Sequence, residues 1–146
     1  MNILVSACLL GVNCRYDGGH NYCAALEALK ASHCLIPVCP EVYGGLTTPR
    51  IPSEVRGDSV ISKEGNDVTE QFFRGAESMM HLARSLGCKL AILKERSPSC
   101  GKDRIYDGAF SGNLISGDGI FVRMLKEEEI PVIGESEIEE YFKEYF

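Results

Sequence analysis

The sequence predicts a single-domain α/β protein, a doubly wound, Rossmann-like sandwich built on a mostly parallel sheet. Two observations lead to this fold class. Short apolar runs alternate along the chain with longer segments whose apolar residues recur at helical spacing, the pattern of strand and helix units. The 146 residues, 45% hydrophobic and 25% charged, are enough for one domain over residues 1–146 with its own core.

Five short apolar runs bounded by turn residues are predicted to be strands. They are residues 2–7, 34–38, 58–63, 90–93 and 131–133. The run at 90–93 is Leu-Ala-Ile-Leu, which predicts a strand buried on both faces. Pro37 lacks an amide hydrogen, so in the run at 34–38 it is expected either at a strand end or at a sheet edge.

Four segments are predicted to be helices: residues 20–31, 69–86, about 119–129, and a last helix close to the C-terminus. Thr69 is expected to cap the second helix, and Gly87 to follow its end. Ser136 and Glu139 stand at capping-box spacing for the last one. The segments 40–57 and 94–118 are predicted to be long loops, which in compact domains are usually functional.

The charge and hydropathy pattern excludes several classes of protein. With 15 Lys and Arg against 21 Asp and Glu, the formal charge is −6, so strong nucleic-acid binding is not expected. No apolar run approaches the roughly 18 residues of a membrane helix, and no charged segment precedes the first apolar run. We expect a cytoplasmic protein without membrane contact, either a monomer or a small homo-oligomer.

The seven cysteines divide by their position relative to the predicted strands. Three follow strands, at the edge where open α/β sheets bind ligands: Cys8, Cys39 and Cys100. Three others begin a strand or lie within a helix and are expected to be buried apolar residues: Cys23, Cys34 and Cys88. Cys14, in the first loop, fits neither group.

Three thiolates at one sheet edge suit an iron–sulfur cluster or a soft metal ion, and three protein ligands leave a fourth position open. Cys14 is placed either to complete a four-thiolate site or to cover the pocket. No close pair of cysteines separated by two residues is present, so ordinary thiols near loops are an equal alternative on spacing alone.

The same loops carry other reactive side chains. Glu41, just beyond Cys39, is placed to give or take a proton, and Ser97 and Ser99 flank Pro98 in a turn beside Cys100. Arg15 and Arg50 are expected to hold an anionic or polar group of a substrate, and Asp17 and Ser99 are expected to bind the substrate beside them. The alternative interpretations are a solvated carboxylate, plain turn residues and surface ion pairs.

Four segments together resemble the thiouracil desulfidase family, and the resemblance covers essentially the whole chain. They are Val5–Gly11, Arg15–Gly19, Cys39–Val42 with Gly45–Arg50, and Leu93–Lys94 with Ser97–Gly101. The resemblance implies a 4Fe-4S cluster held by Cys8, Cys39 and Cys100, with one iron free of protein ligands. It also implies that sulfur is removed from a thiolated pyrimidine base or nucleotide, with Glu41 and Ser97 in acid/base and substrate-orienting roles.

The sequence departs from that family at one position and from its longer members in length. Cys14 stands where relatives often have another residue, which bears on the number of cluster ligands. Longer relatives that act on thiolated tRNA carry an additional C-terminal domain, so a thiolated base or nucleotide is the expected substrate here.

Two other functions compete with a desulfidase. A structural or redox-sensing module would close a four-thiolate site with Cys14 and bind metal without turnover. A small α/β binding protein would keep its thiols reduced and buried, with no metal at all.

Overall fold

The structure, a computed structural model, describes all residues 1–146 and contains eight strands. The strands are β1 (Asn2–Ser6), β2 (Cys34–Val38), β3 (Ser53–Arg56), β4 (Ser59–Ser62), β5 (Leu90–Leu93), β6 (Arg104–Tyr106), β7 (Leu114–Ser116) and β8 (Val132–Gly134). The α-helices are α1 (Pro40–Tyr43), α2 (Thr69–Ser85), α3 (Ile120–Glu127) and α4 (Ile138–Tyr141). Short 3₁₀ helices cover Ala7–Leu10, Ala24–Leu29, Glu135–Glu137 and Lys143–Tyr145.

Four parallel strands form the central sheet in the order β2-β1-β5-β8. In this register Ile3 of β1 lies between Leu35 of β2 and Leu90 of β5. All four residues of β5 are buried, as expected for a central strand, and β2 with Pro37 lies at the edge. The predicted fold class, an α/β sandwich on a parallel sheet, is confirmed.

Apolar side chains cover both faces of this sheet because successive residues of a strand point to opposite sides. Leu4 and Ala91 pack into the larger core beneath α2 and α3. Ile3 and Val5 pack into the smaller core, with the Ala24–Leu29 segment and the C-terminal residues. None of the helices has the length and hydropathy needed to span a bilayer.

Two segments predicted to be loops contain regular structure. Residues 40–57 include α1 and β3, and residues 94–118 include the hairpin of β6 and β7. The β3 strand pairs with β4 across a turn at Gly57. The end of the predicted loop at 40–57 and the predicted strand at 58–63 therefore form an antiparallel hairpin that is separate from the central sheet. The strands β3, β6 and β7 have only three or four residues each, too few to show a clear hydrophobic pattern in the sequence. Their hydrogen-bonded partners define them as strands.

The predicted helix at 20–31 is shorter than expected and only Ala24–Leu29 is helical, as a 3₁₀ helix. The backbone N–H groups of Asn21 and Cys23 donate to the carbonyl oxygens of Cys8 and Leu9 instead. Cys23 itself is extended, with φ of −118° and ψ of 104°, so the helix begins after it.

The predicted helix ends are partly right. Gly87 follows α2 with φ of 59°, as a glycine after a helix should. Thr69 is the first residue of α2 and not its cap, because its hydroxyl accepts from the N–H of Val60 at 2.8 Å. The capping box of Ser136 and Glu139 is wrong: the carboxylate of Glu137 accepts from the N–H of Gly134 at 2.9 Å.

The three cysteines expected in the core differ in their surroundings. Cys88 is buried in the larger core, as predicted. Cys34 is exposed because it lies at the outer end of an edge strand. Cys23 precedes the 3₁₀ helix and is half-buried against the smaller core.

Replacing Gly75 of α2 should destabilise the protein, although alanine is the better helix former. A Cβ at this position would overlap the carbonyl oxygen of Pro40, where α1 lies directly against α2. We expect Gly75→Ala to lower the free energy of unfolding by about 1–3 kcal/mol, the usual range for overpacking.

Urea unfolding measures this change, with Ser78→Ala on the exposed side of the same helix as the control. The control should be neutral or slightly stabilising. A Gly75→Ala protein as stable as its parent would contradict the close approach of the two helices.

Candidate functional site

A cavity of about 580 Å³ opens at the carboxyl edge of the central sheet and is lined by four thiols. Cys8 lies in the 3₁₀ turn directly after β1, Cys39 directly after β2, and Cys100 in the loop after β5. These three strands are neighbours in the sheet, which is why their ends deliver the thiols to one place. Cys14 reaches the same cavity from the first loop.

The four thiols differ in how readily they ionise. The Cys14 thiol donates a hydrogen bond to Cys39, which lowers the pKa of Cys39 to about 7 and raises that of Cys14. Burial raises the pKa of Cys8, and it raises that of Cys100 to about 12. Cys39 is therefore the most readily ionised thiol of the set.

The cavity is positively charged although the chain is acidic. Five cationic side chains line it against three carboxylates. The cations are Arg15, Arg50, Lys63, Lys94 and Arg96, and the carboxylates are Glu41, Glu54 and Glu95. A low-dielectric cleft with this balance favours anionic occupants, including a set of deprotonated thiols.

The thiols surround a volume and do not meet at a point. No group of three or more His, Cys, Asp or Glu side chains is close enough to hold a single metal ion. Thiolate donors spread around a cavity fit a cluster of several irons, in which each cysteine binds a different iron.

Glu41 lies in the first turn of α1, beside Cys39, and both of its carboxylate oxygens have partners. The guanidinium of Arg50 donates to Oε1 at 3.1 Å, and the hydroxyl of Ser99 donates to Oε2 at 2.7 Å. The side chains of Glu41 and Arg50 are 15% and 8% exposed, so this ion pair is largely shielded from solvent. A carboxylate accepts up to four hydrogen bonds, so Glu41 retains acceptor capacity.

Two serine hydroxyls continue from Glu41 along the cavity wall. Because the proton of Ser99 is directed at Glu41, the hydroxyl of Ser97 is the donor in its 3.0 Å contact with Ser99. The Ser97 oxygen also accepts from the N–H groups of Ser99 and Cys100 at 3.2 and 3.0 Å. The result is an oriented chain from Ser97 through Ser99 to Glu41, with Ser99 almost fully buried.

The first loop supplies Arg15 but not Asp17 to the cavity wall. Arg15 lines the cavity and donates to the side chain of Asn21 at 2.8 Å. Asn21 in turn hydrogen bonds to Cys8. The exposed Asp17 pairs with Arg15 at 3.3 Å and accepts from the N–H of Gly19, so it shapes the loop. A substrate contact from Asp17 stays a prediction.

Sequence reasoning missed the part of the wall supplied by the two hairpins. Glu54 and Lys63 come from the β3–β4 hairpin, and Tyr106 and Phe110 from the β6–β7 hairpin. Two glycines in the turn, Gly108 and Gly112, between Arg-Ile-Tyr and Leu-Ile-Ser, were the available hairpin signal.

The topology and the site define a class, an α/β protein of Rossmann-like topology with a cysteine-lined cavity at its sheet edge. A family model described as 2-thiouracil desulfurase matches residues 3–137. The chain belongs to the 2-thiouracil desulfurase family, and the resemblance drawn from its motifs is confirmed.

Two proteins are similar to this chain over nearly its whole length. The uncharacterized protein YbbK of Bacillus subtilis (strain 168) is 38% identical over an alignment of 146 positions. The alignment covers 93% of this chain and 97% of YbbK. A solved structure of the 4Fe-4S-dependent thiouracil desulfidase TudS is 45% identical and superposes with a TM-score of 0.90. That superposition covers 95% of this chain and 93% of TudS.

Thiol alkylation in the reduced, metal-free protein should follow the order of the thiol pKa values. Because the thiolate is the reactive form, labelling of Cys39 should rise through about pH 7, while Cys100, 5% exposed, stays unlabelled. Mass spectrometry of peptides after iodoacetamide treatment measures both.

The Cys14→Ala variant tests the cause of this difference. Loss of the donated hydrogen bond should move the Cys39 labelling profile to higher pH. Replacing the exposed Cys34 by alanine is the control and should leave the profile unchanged. An unchanged Cys39 profile in Cys14→Ala would contradict the thiol contact.

Proposed function

We propose that this chain is a 4Fe-4S-dependent desulfidase that converts a thiolated pyrimidine, thiouracil or thiouridine monophosphate, to its oxo form and hydrogen sulfide. The observation that carries the proposal is the placement of Cys8, Cys39 and Cys100 around one cavity, beside a carboxylate linked to two hydroxyls. Family membership and the likeness to TudS support it.

Cys8, Cys39 and Cys100 are the residues that would hold the cluster. They come from the ends of three adjacent strands, and the positive charge of the cavity wall offsets the charge of three thiolates. A cluster bound by three cysteines supplies one iron without a protein ligand, a soft Lewis acid suited to the sulfur of a thiocarbonyl group.

Glu41 is assigned as the group that takes the proton from the attacking water. The reaction exchanges a C=S bond for a C=O bond, consumes one water and releases hydrogen sulfide, so no electrons are needed. Arg50 fixes the carboxylate by its 3.1 Å contact and by donating to the carbonyl oxygen of Cys14 at 2.9 Å. A base held in this way meets the water without a reorientation step.

Ser97 is assigned as the group that orients substrate or water. Two backbone N–H groups hold its oxygen in place, so its position is set before any ligand arrives. Its hydroxyl proton points at Ser99, so Ser97 contacts a ligand by turning that proton to it, while Ser99 keeps its hydrogen bond to Glu41. Substrate contacts from Arg15, Arg50 and Ser99 belong to the same proposal.

Two cationic side chains of the cavity wall without a partner in the protein support a nucleotide as the proposed substrate. Lys63 and Arg96 line the cavity, and neither forms an ion pair or a side-chain hydrogen bond. A phosphate group on the ribose of a thiolated nucleotide supplies the anion that they lack.

One observation favours the second function, a structural or redox-sensing site with four thiolates. The hydrogen bond between Cys14 and Cys39 brings a fourth thiol to the cavity. Such a site would bind metal without releasing sulfide from any thiolated pyrimidine.

Glu41→Gln should abolish most turnover without removing the cluster. After anaerobic reconstitution with iron and sulfide, we expect the parent protein to release sulfide from thiouracil or thiouridine monophosphate. The variant should release it about 100-fold more slowly, the lower range for loss of a general base, with unchanged visible absorption.

Glu77→Gln on the exposed side of α2 is the matched control and should retain full activity. Cluster formation without sulfide release from base or nucleotide in the parent protein would refute the desulfidase and favour the four-thiolate module.

Cysteine variants test the number of cluster ligands. We expect Cys8→Ser to lose the reconstituted cluster, and Cys14→Ser to retain it, because only three cysteines are assigned as ligands. Iron content and visible absorption of anaerobic samples measure both, with Cys34→Ser as the control at the far end of β2. If Cys14→Ser loses the cluster as completely as Cys8→Ser does, the open iron is excluded.

A further inference from the structure

The turn between β6 and β7 carries an aromatic side chain to the cavity wall. Phe110 lies in this turn and Tyr106 at the end of β6, and both line the cavity. Both side chains are partly exposed, and neither belongs to the two apolar cores. Both residues therefore line the cavity without being part of the packing of either apolar core.

The turn is held by the neighbouring hairpin. Glu54 of β3 accepts hydrogen bonds at one carboxylate oxygen from the N–H groups of Gly108 and Phe110, at 2.9 and 3.1 Å. Arg56 of the same strand donates to the carbonyl oxygen of Gly108 at 2.7 Å. A Cβ on Gly108 would lie 2.9 Å from the carbonyl oxygen of Val55, so the approach of the two hairpins requires glycine there.

The backbone of Phe110 is itself unusual. Its φ is 54°, a left-handed conformation that bulky residues rarely adopt. Such strain persists where surrounding contacts impose it, and it is concentrated at ligand-binding segments. The N–H of Phe110 donates to the carboxylate of Glu54, a contact that stabilises this conformation.

We propose that Phe110, with Tyr106, forms the surface on which the flat ring of the substrate stacks, and that Glu54 is the residue that positions Phe110 for this contact. The inference rests on the proposed desulfidase function, since it takes a pyrimidine ring as the ligand. Stacking depends on the face of the ring and not on its thiocarbonyl group. It therefore sets substrate affinity, while Glu41 acts on the reacting atoms and the three cysteines would hold the cluster.

Steady-state kinetics of sulfide release test the role of Phe110. We expect Phe110→Ala to raise KM about tenfold with kcat within about twofold of the parent, since stacking of a base on an aromatic ring is lost. Phe110→Tyr keeps the ring and should restore the KM. An unchanged KM in Phe110→Ala, or a loss confined to kcat, would overturn the inference.

Three glutamate variants test the positioning role of Glu54. Glu54→Ala should raise KM as Phe110→Ala does, and Glu54→Gln, which keeps an acceptor oxygen, should return it to within about threefold of the parent. Glu64→Ala, an exposed glutamate of the β3–β4 hairpin, is the control and should have the parent's KM. If Glu54→Gln is as impaired as Glu54→Ala, a hydrogen bond to the turn is not what Glu54 provides.

A fluorescence titration separates this inference from the proposed function. The chain contains no tryptophan, so Phe110→Trp places a unique fluorophore at the stacking position. Uracil or uridine monophosphate added to the variant should quench its fluorescence saturably, with or without the cluster, and Glu54→Ala in the same background should weaken that binding.

The two possible failures give different results. If the parent protein forms its cluster but releases no sulfide, the proposed function fails. If it is active and neither pyrimidine changes the tryptophan signal, the stacking inference alone is overturned.

Discussion

The parallel pairing of β1 with β2 on one side and β5 on the other is the constraint on which the site depends. It aligns Ser6 with Val38, and Val5 with Ile92, so the three strands end at the same edge. The segments that follow the three strands therefore meet at this edge, and each brings one cysteine to the cavity: Cys8, Cys39 and Cys100. Burial of β1 and β5 on both faces fixes the register. A shift of β1 by one residue would exchange Leu4, which packs into the larger core, with Ile3 and Val5, which pack into the smaller one.

The polar half of the site depends on a second constraint, the close approach of α1 to α2. Gly44 and Gly75 allow it, because a Cβ at either position would overlap backbone of the other helix. This contact places Glu41 next to the loop after β5, where Ser99 donates to it. Arg50 then joins Glu41 to the first loop through the carbonyl oxygen of Cys14. A packing contact and one buried ion pair thus connect three separate segments of the chain.

The central sheet and the thiol group could be predicted because they depend on strong local patterns. Leu90–Leu93 is apolar throughout, and strand ends in a parallel sheet meet at one edge, so Cys8, Cys39 and Cys100 were expected together. The β6–β7 hairpin was missed, because Ile115 and Ser116 of β7 are exposed and do not follow a buried strand pattern, which leaves the glycines of the turn as its signal. Nothing local indicated that the thiol of Cys14 contacts Cys39, or that Glu54 holds the turn of Phe110, because each pair is distant in sequence.

The proposed reaction depends on a cluster in which three irons have a cysteine each and one does not. Mössbauer spectroscopy of the anaerobically reconstituted protein, with and without thiouracil, tests this most directly. We predict a 4Fe-4S spectrum in which one iron differs from the other three and changes when thiouracil is added. A spectrum in which all irons are equivalent and thiouracil changes none of them would contradict the account.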